Sequence, residues 1–393
     1  MKEDVRVLVI NPGSTSTKIG VFLPPLATSH VTSLPDCNTA VEEEWTRNLH
    51  HSDHELERFR GWSAIAQTEF RAGVIRQALQ AAGYDRFHFA AVAGRGGLLP
   101  PMECGTWLVN DAMVEELRGA RRGEHACNLG AVLALQFAQA AGVDAYIVDP
   151  VTVDEWQPCA RLSGSPLIER SSIGHALNIK AVARRFSREQ QRPYDQMRLI
   201  VVHLGSGITV SAHRGGRMID QNTPDEGPFG PDRTGWLPVR QLIWRCFSGE
   251  FNEKQLDRMV FGEGGLFAYL GTRDLQEVER RIDAGDPHAS VVYDAMVYQI
   301  AKEIGAMAAV LQGQVDAVLL TGGMAHSERL VNCLRSYIDW IAPVSVYPGE
   351  DELRALAEGV LRVLNGEEQA KTFRVSEPTQ APHRDPLVVH GLE

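Results

Sequence analysis

Apolar residues along the chain fall into short continuous runs, separated by longer segments in which they recur every three or four positions. The runs predict strands over residues 5–10, 18–22, 90–93, 145–149, 199–203, 209–213, 317–321 and 344–347. The periodic segments between them predict helices over residues 125–141, 175–186, 274–284, 289–311 and 351–364. Strands alternating with helices in this way define an α/β protein.

One pattern occurs twice. "VLVINPGSTSTKIGVF" at 7–22 and "LIVVHLGSGITVSAH" at 199–213 align Asn11 with His203, Gly13 with Gly205 and Ser14 with Ser206, about half the chain apart. The chain therefore reads as a duplication, each half opening with a strand, a Gly/Ser turn and a second strand. Such a hairpin turn can bring backbone N–H groups close to an anion, and two of them facing each other could grip the phosphates of one nucleotide. Either turn alone could equally be an ordinary hairpin whose Gly, Ser and Thr serve only its backbone.

Composition narrows the possible partners. With 393 residues and 44% apolar content, the chain can bury a sizeable core in two or three domains. No run approaches the roughly 18 apolar residues that span a bilayer, and "MKEDVRVLVI" places acidic residues where a signal peptide needs basic ones, so a cytoplasmic protein is expected. The 39 Lys and Arg against 50 Asp and Glu give a net charge of −11, with no basic cluster for nucleic acid or an anionic membrane. Any bound phosphate must then be held by backbone groups, a few placed cations and a metal. The six cysteines form no C-x-x-C pair and are expected to be reduced. P-loop, dinucleotide-binding and protein-kinase signatures are all missing.

The two turns, with "GRGGLL" (94–99), "GEHACNLGA" (123–131), "YIVDPVTVDE" (146–155), "GHALN" (174–178), "GPFGPDRTGWLP" (227–238), "TGGMAHS" (321–327) and "YPGEDELRALAEG" (347–359), together resemble butyrate kinase of the acetate kinase family. That family lies within the superfamily of sugar kinases, actin and heat-shock ATPases, and the resemblance runs in order from about residue 5 to residue 369. It implies two duplicated ribonuclease-H-like (actin-like ATPase) domains around a central nucleotide cleft. The first would cover 1–150 plus a returning helix at 350–375, the second 151–349, with a loosely packed tail at 376–393. It also implies a homodimer or higher homo-oligomer that uses ATP and Mg²⁺ to phosphorylate a short-chain carboxylic acid reversibly. Butyrate or a branched analogue is expected, with an acetate or propionate kinase, or an ATP switch without an acyl substrate, as alternatives.

The resemblance assigns roles to particular residues, and their chemistry suits the task. Arg95 and Arg233, in Gly-rich settings, match positions for substrate binding and transition-state stabilisation, where a planar guanidinium can neutralise phosphoryl oxygens. His175 matches the histidine at the transferring phosphoryl group; His125, with Asn128, matches the acyl side. A carboxylate nucleophile needs no deprotonation, so neither histidine has to be a base. Asp149, after a strand, and Glu352 match the Mg²⁺ ligands. Asn11, Ser14, Ser16 and Lys18, with His203, Gly205, Ser206 and Gly207, match the phosphate turns; Gly322 and Gly323 match the approach to adenosine. Three features depart from the family pattern: Ser206 replaces a usual glycine, Gly174 precedes His175 in place of an aromatic residue, and the loop at 220–230 is about two residues shorter.

Overall fold

A computed structural model describes residues 5–24, 41–84 and 88–374 of the chain. Cys37 and the tail expected at 376–393 lie outside the described residues. Contacts divide the chain into two compact units, Met1–Val153 with Asp351–Glu393, and Asp154–Glu350. Among the described residues, no helix is long and apolar enough to cross a membrane.

The first unit begins with β1 (Val7–Pro12), β2 (Ser16–Leu23), β3 (Glu42–His50), α1 (Asp53–Glu57), α2 (Thr68–Ala81), β4 (Ala91–Arg95), β5 (Thr106–Leu108), α3 (Asp111–Gly119), α4 (Asn128–Ala141) and β6 (Asp144–Val148). The second contains α5 (Ala176–Glu189), β7 (Arg198–Leu204), β8 (Ile208–Arg214), β9 (Arg217–Gln221), α6 (Val239–Phe247), α7 (Glu253–Val260), α8 (Gly265–Leu270), α9 (Leu275–Asp283), α10 (Pro287–Val310), β10 (Ala317–Gly322), α11 (Glu328–Ile338) and β11 (Val344–Pro348). The chain then returns to the first unit as α12 (Glu352–Leu364) and β12 (Lys371–Thr372).

The two sheets share a topology. In the first the order is β12-β5-β6-β4-β1-β2-β3, and in the second β11-β10-β7-β8-β9. Each has an antiparallel meander, β1-β2-β3 or β7-β8-β9, and a parallel strand, β4 or β10, beside the meander's first strand. A further parallel strand follows, β6 or β11. This is the ribonuclease-H-like arrangement, and its recurrence in both units is the duplication that the paired turns announced.

Alternation along the strands places helices on both faces of the first sheet. Leu8 and Ile10 of β1 pack with residues of α2, α3 and α4. Val7 and Val9 point to the opposite face, and α12 packs on β1, β2, β4 and β6. In the second unit Ile200, Val202 and Leu204 of β7 join a core with α8, α9, α10 and α11, while α5 packs on β7 and β10.

One difference from the sequence expectation bears on the site. The helix expected from residue 125 begins at Asn128, because the amide of Cys127 bonds the His125 ring, Nδ1 at 3.1 Å, in the turn before the helix. The apolar helix α4 also lies unusually close to β4. A Cβ on Gly130 would sit 2.2 Å from the Arg95 carbonyl oxygen, and one on Gly94 would sit 2.2 Å from that of Gly130. The glycine pair thus lets backbone meet backbone just beneath Arg95. Gly130→Ala should cost about 2–3 kcal/mol of stability, the scale of overpacking in a rigid interior, read from the denaturant midpoint of the purified protein; an unchanged midpoint would refute the close contact.

Candidate functional site

In the first unit the carboxyl ends of three adjacent strands carry polar residues in register. Parallel pairing sets Ile10 beside Gly94, and Gly94 beside Ile147, so Asn11 is level with Arg95, and Asp149 follows the partner of Arg95, Val148. In parallel sheets this strand end is where ligand sites form. Glu352, in the first turn of α12, closes the group: one oxygen pairs with the Arg95 guanidinium and the other accepts from Asn11 Nδ2 at 2.6 Å. A carboxylate suits this helix N-terminus, whose cap is Asp351. Asp149 is buried with positive φ (38°), and its Oδ1 accepts the Gly105 amide at 2.7 Å.

Asn128 packs against the loop after Arg95, and His125 lies in the turn just before Asn128. Burial pushes the Cys127 thiol up to about 12, so the sulfur stays protonated. Its Sγ lies 2.9 Å from His125 Nδ1, which also accepts the Cys127 amide. Nδ1 is therefore an acceptor, and the neutral imidazole carries its proton on Nε2. Asn128 is committed on both sides of its amide: Oδ1 accepts from the Leu98 N–H and Nδ2 donates to the Gly123 carbonyl. Its structural contribution is to fix the loop that follows Arg95.

The Gly/Ser turn of this unit, expected to hold phosphate, is a two-residue hairpin loop, Ser14–Thr15, closed by Gly13 N–H donating to the Ser16 carbonyl. Ser14 and Lys18 are exposed and Ser16 is half-buried. Behind the turn lies Arg71 of α2, which sequence reasoning missed although the spacing of Ala72, Ile75 and Leu79 could have placed it beside an apolar stripe.

In the second unit the sheet end is built around His203. Asn178 Nδ2 donates to its Nδ1 (3.0 Å) and to Thr321 Oγ1 (3.2 Å), leaving the His203 Nε2–H for Glu350 Oε1 at 3.2 Å. His175 stacks on this fixed ring, with centroids 3.8 Å apart and planes 8° from parallel, and its Nδ1 lies 2.9 Å from Thr209 Oγ1. Gly205 and Gly207 leave room for these side chains. A Cβ on Gly205 would meet His203 Nε2 at 2.8 Å; one on Gly207 would meet Arg233 Nη1 at 2.6 Å and His175 Cε1 at 3.1 Å. Ser206, between them, is exposed.

Arg233 is thus brought to the same turn as His175. Its loop is fixed by an isolated bridge to Phe261 and by Gly265, whose Cβ would fall 1.9 Å from the Gly230 carbonyl oxygen. Its Nε is buried without a hydrogen-bond partner, and burial lowers the guanidinium's pKa against the opposing pull of Asp232 and Asp225. Such a cation is poised for an anion. Gly174 has a local reason too, since a Cβ there would meet Gln221 Oε1 at 2.8 Å. Gly322 takes a positive φ of 92°, approaches the Leu204 carbonyl and exchanges hydrogen bonds with Gly349, whereas Gly323 has open space where a Cβ would stand.

Fold and site together define a chain of two duplicated ribonuclease-H-like domains. Residues 170–347 match the Acetokinase family. Among solved structures, the chain is similar to the acetate kinase of Porphyromonas gingivalis, with 19% identity, a TM-score of 0.73, and 91% of this chain and 99% of that one covered. A propionate kinase from Francisella tularensis subsp. tularensis SCHU S4 matches at 17% identity and a TM-score of 0.66, covering 90% and 98%. Acetate kinase from Entamoeba histolytica matches at 16% and 0.67, covering 91% and 99%. At these identities the structural likeness establishes the fold.

One ionisable group beside the first turn has a pH signature. His51 is 4% exposed, its Nδ1 has no hydrogen-bond partner, and Nε2 lies 2.9 Å from Thr17 Oγ1. Burial, then the nearby Arg71 charge, lowers its pKa from 6.5 to about 4. The folded state therefore keeps it neutral while the unfolded chain protonates near 6.5. The stability this supplies is complete above that pH and is lost as pH falls toward 4, with a slope of at most about 1.4 kcal/mol per pH unit. Urea unfolding at pH 7.5 and 5.5 should show a smaller loss for His51→Leu than for the wild type; equal losses would rule out a buried neutral His51.

Proposed function

We propose that this protein transfers the γ-phosphoryl group of ATP directly to a short-chain carboxylic acid, giving an acyl phosphate and ADP, and that it also runs the reverse reaction. The observation that carries the reading is the half-buried Arg233 guanidinium, with its Nε buried and unpartnered, held at the Gly207 turn beside His175. The family match over 170–347, which includes both residues, supports it. The preferred acid is butyrate or a branched analogue on the sequence resemblance; acetate or propionate fits the structural relatives equally well.

In this reading a carboxylate oxygen of the acid attacks the γ-phosphorus in line, the new O–P bond forms as the bond to the ADP oxygen breaks, and no proton need move. Arg95 orients the acid's carboxylate, with Glu352 fixing the guanidinium, and His125 offers its Nε2–H as a donor. Asn11, Ser14, Ser16 and Lys18 hold the phosphoryl group in transit. His175, braced by the stacked His203, donates to its oxygens, and Arg233 neutralises the charge that builds there. Ser206 and the Gly207 amide contact the nucleotide phosphates, while Gly205, whose own amide donates to the Gly207 carbonyl at 3.3 Å, shapes the turn; Gly322 and Gly323 lie on the adenosine side.

Asp149 and Glu352 are hard oxygen donors of the kind Mg²⁺ takes, although here both Glu352 oxygens are engaged, by Arg95 and by Asn11 Nδ2, and Asp149 Oδ1 accepts the Gly105 amide. Among the described residues no group of three or more His, Cys, Asp or Glu side chains is gathered for a metal; Mg²⁺ commonly takes one or two carboxylates and fills its remaining positions with water and phosphate. When bound, the ion would neutralise charge on the β- and γ-phosphate oxygens.

Acids of two to six carbons, assayed with ATP and hydroxylamine trapping, should each give acyl phosphate to a different extent and identify the preferred chain. ATP turnover independent of added acid would overturn the proposal in favour of an ATP switch. Arg95→Ala and Arg233→Ala should each lower kcat by about 100-fold or more, the scale of misplacing a substrate for the first and of removing a transition-state donor for the second, while nucleotide affinity changes much less. Near-normal turnover in either variant would remove the role assigned to that residue.

A further inference from the structure

The Ser14–Thr15 turn is held from behind with unusual completeness. Arg71 Nη1 donates to the carbonyls of Gly13 (2.7 Å) and Ser16 (3.0 Å) and to Thr17 Oγ1 (3.1 Å), and Nη2 donates to the Ser14 carbonyl at 2.9 Å. The remaining carbonyl of the turn, that of Thr15, accepts from the His51 amide at 2.9 Å. All four carbonyls from Gly13 to Ser16 are thereby engaged by donors of the first unit. The amides of Ser14 and Thr15 make no hydrogen bond among the described residues.

Arg71 is fully buried, and its Nε donates to Gln67 Oε1 at 2.9 Å. No carboxylate pairs with it among the described residues. Burial lowers its pKa to about 10, which still leaves it charged at neutral pH. A buried cation without a counter-ion carries a desolvation penalty, and a hairpin turn alone gives no reason to accept one. An anion on the opposite face of the turn would supply the missing charge across a single layer of peptide groups.

We propose that Arg71 is the positioning residue of the phosphate turn: by drawing the turn's carbonyls inward it leaves the Ser14 and Thr15 amides to the transferring phosphoryl group and backs them with an uncompensated positive charge. The inference rests on the phosphoryl-transfer reading above and adds to it a group that does not touch substrate. Arg71 acts through the peptide dipoles it orients.

Arg71→Met and Arg71→Lys, each with a thermal melt in rising inorganic phosphate and steady-state kinetics for ATP and acid, test this. In the wild type phosphate should raise the melting temperature, and Arg71→Met should lose that response. Its kcat should fall by about 100-fold, the scale of removing a transition-state donor, with KM for the acid within about threefold, and millimolar guanidinium should restore part of kcat. Arg71→Lys, which keeps the charge but not the fork, should fall between the two. A folded Arg71→Met with wild-type kcat and phosphate response would overturn the proposal. So would equal losses in kcat and acid KM without guanidinium rescue, which mark a merely structural residue. If Arg71→Met does not fold, a folded Arg71→Lys with wild-type kcat and phosphate response overturns it. Failure of the phosphoryl-transfer reading would show separately, as acid-independent ATP turnover by the wild type, while the phosphate melts still report on Arg71.

Discussion

A protein with a net charge of −11 that is to hold an anion must present cations whose charge its own carboxylates do not fully cancel. In the proposed reading Arg71 and Arg233 do this, Arg71 fully buried beneath a hairpin turn and Arg233 half-buried beside one with the charges of Asp232 and Asp225 near it; among the described residues neither has a bonded carboxylate. Desolvation makes such a cation costly in the empty protein and correspondingly strong toward an anion, because a low local dielectric enlarges the attraction that water would screen. Arg95 follows a different rule. Its guanidinium is ion-paired with Glu352, so it is geometrically fixed but partly neutralised, which suits orienting a substrate more than stabilising charge that develops in a transition state.

Duplication supplied the scaffold for both arrangements, and the divergence of its two copies is legible position by position. The first strand of each meander ends in a side chain that organises its neighbours, Asn11 in one unit and His203 in the other. The adjacent parallel strand carries Arg95 in the first, while Thr321 stands level with His203 in the second. The first turn is braced by an arginine that bonds carbonyls; the second is widened by glycines that admit Arg233 and His175. Equal backbones thus acquired unequal chemistry through the few side chains that reach the strand ends, the positions where an open parallel sheet exposes ligands.

How much of this could be read from the chain depends on where apolar pattern and function coincide. Strands such as β1, β7 and β10 were evident because both faces are covered, which makes them continuous apolar runs. The edge strand β3, "EEEWTRNLH", was invisible: it has no fully buried residue, and only Trp45 and Leu49 are half-buried. Helices α6 and α7 also bury no residue, so no core stripe marked them securely. Within the site, the Gly/Ser turns and arginine loops stood out by composition. Arg71 did not, since an arginine in a helix reads as a solvated face until its bonds are seen. The roles of Asn128, Cys127 and Gly174 were equally hidden, because each depends on contacts between segments distant in sequence or on the tautomer of a ring.

The order of elements adds a last constraint. The first unit is not finished when its strands are made, because α12, which packs on β1, β2, β4 and β6, is supplied by the chain beyond the second unit. That helix brings Glu352 to Arg95 and Asn11 through its first turn, while its small Gly359 fits against Val148, where a Cβ would come within 2.5 Å of the valine methyls. Without α12 the sheet would expose an apolar face and Arg95 would lose its orienting carboxylate at once. Packing and site assembly in the first unit are therefore one event: the same helix that completes the hydrophobic layer completes the polar group at the strand ends, so a folded first unit with a misplaced Arg95 is hard to reach.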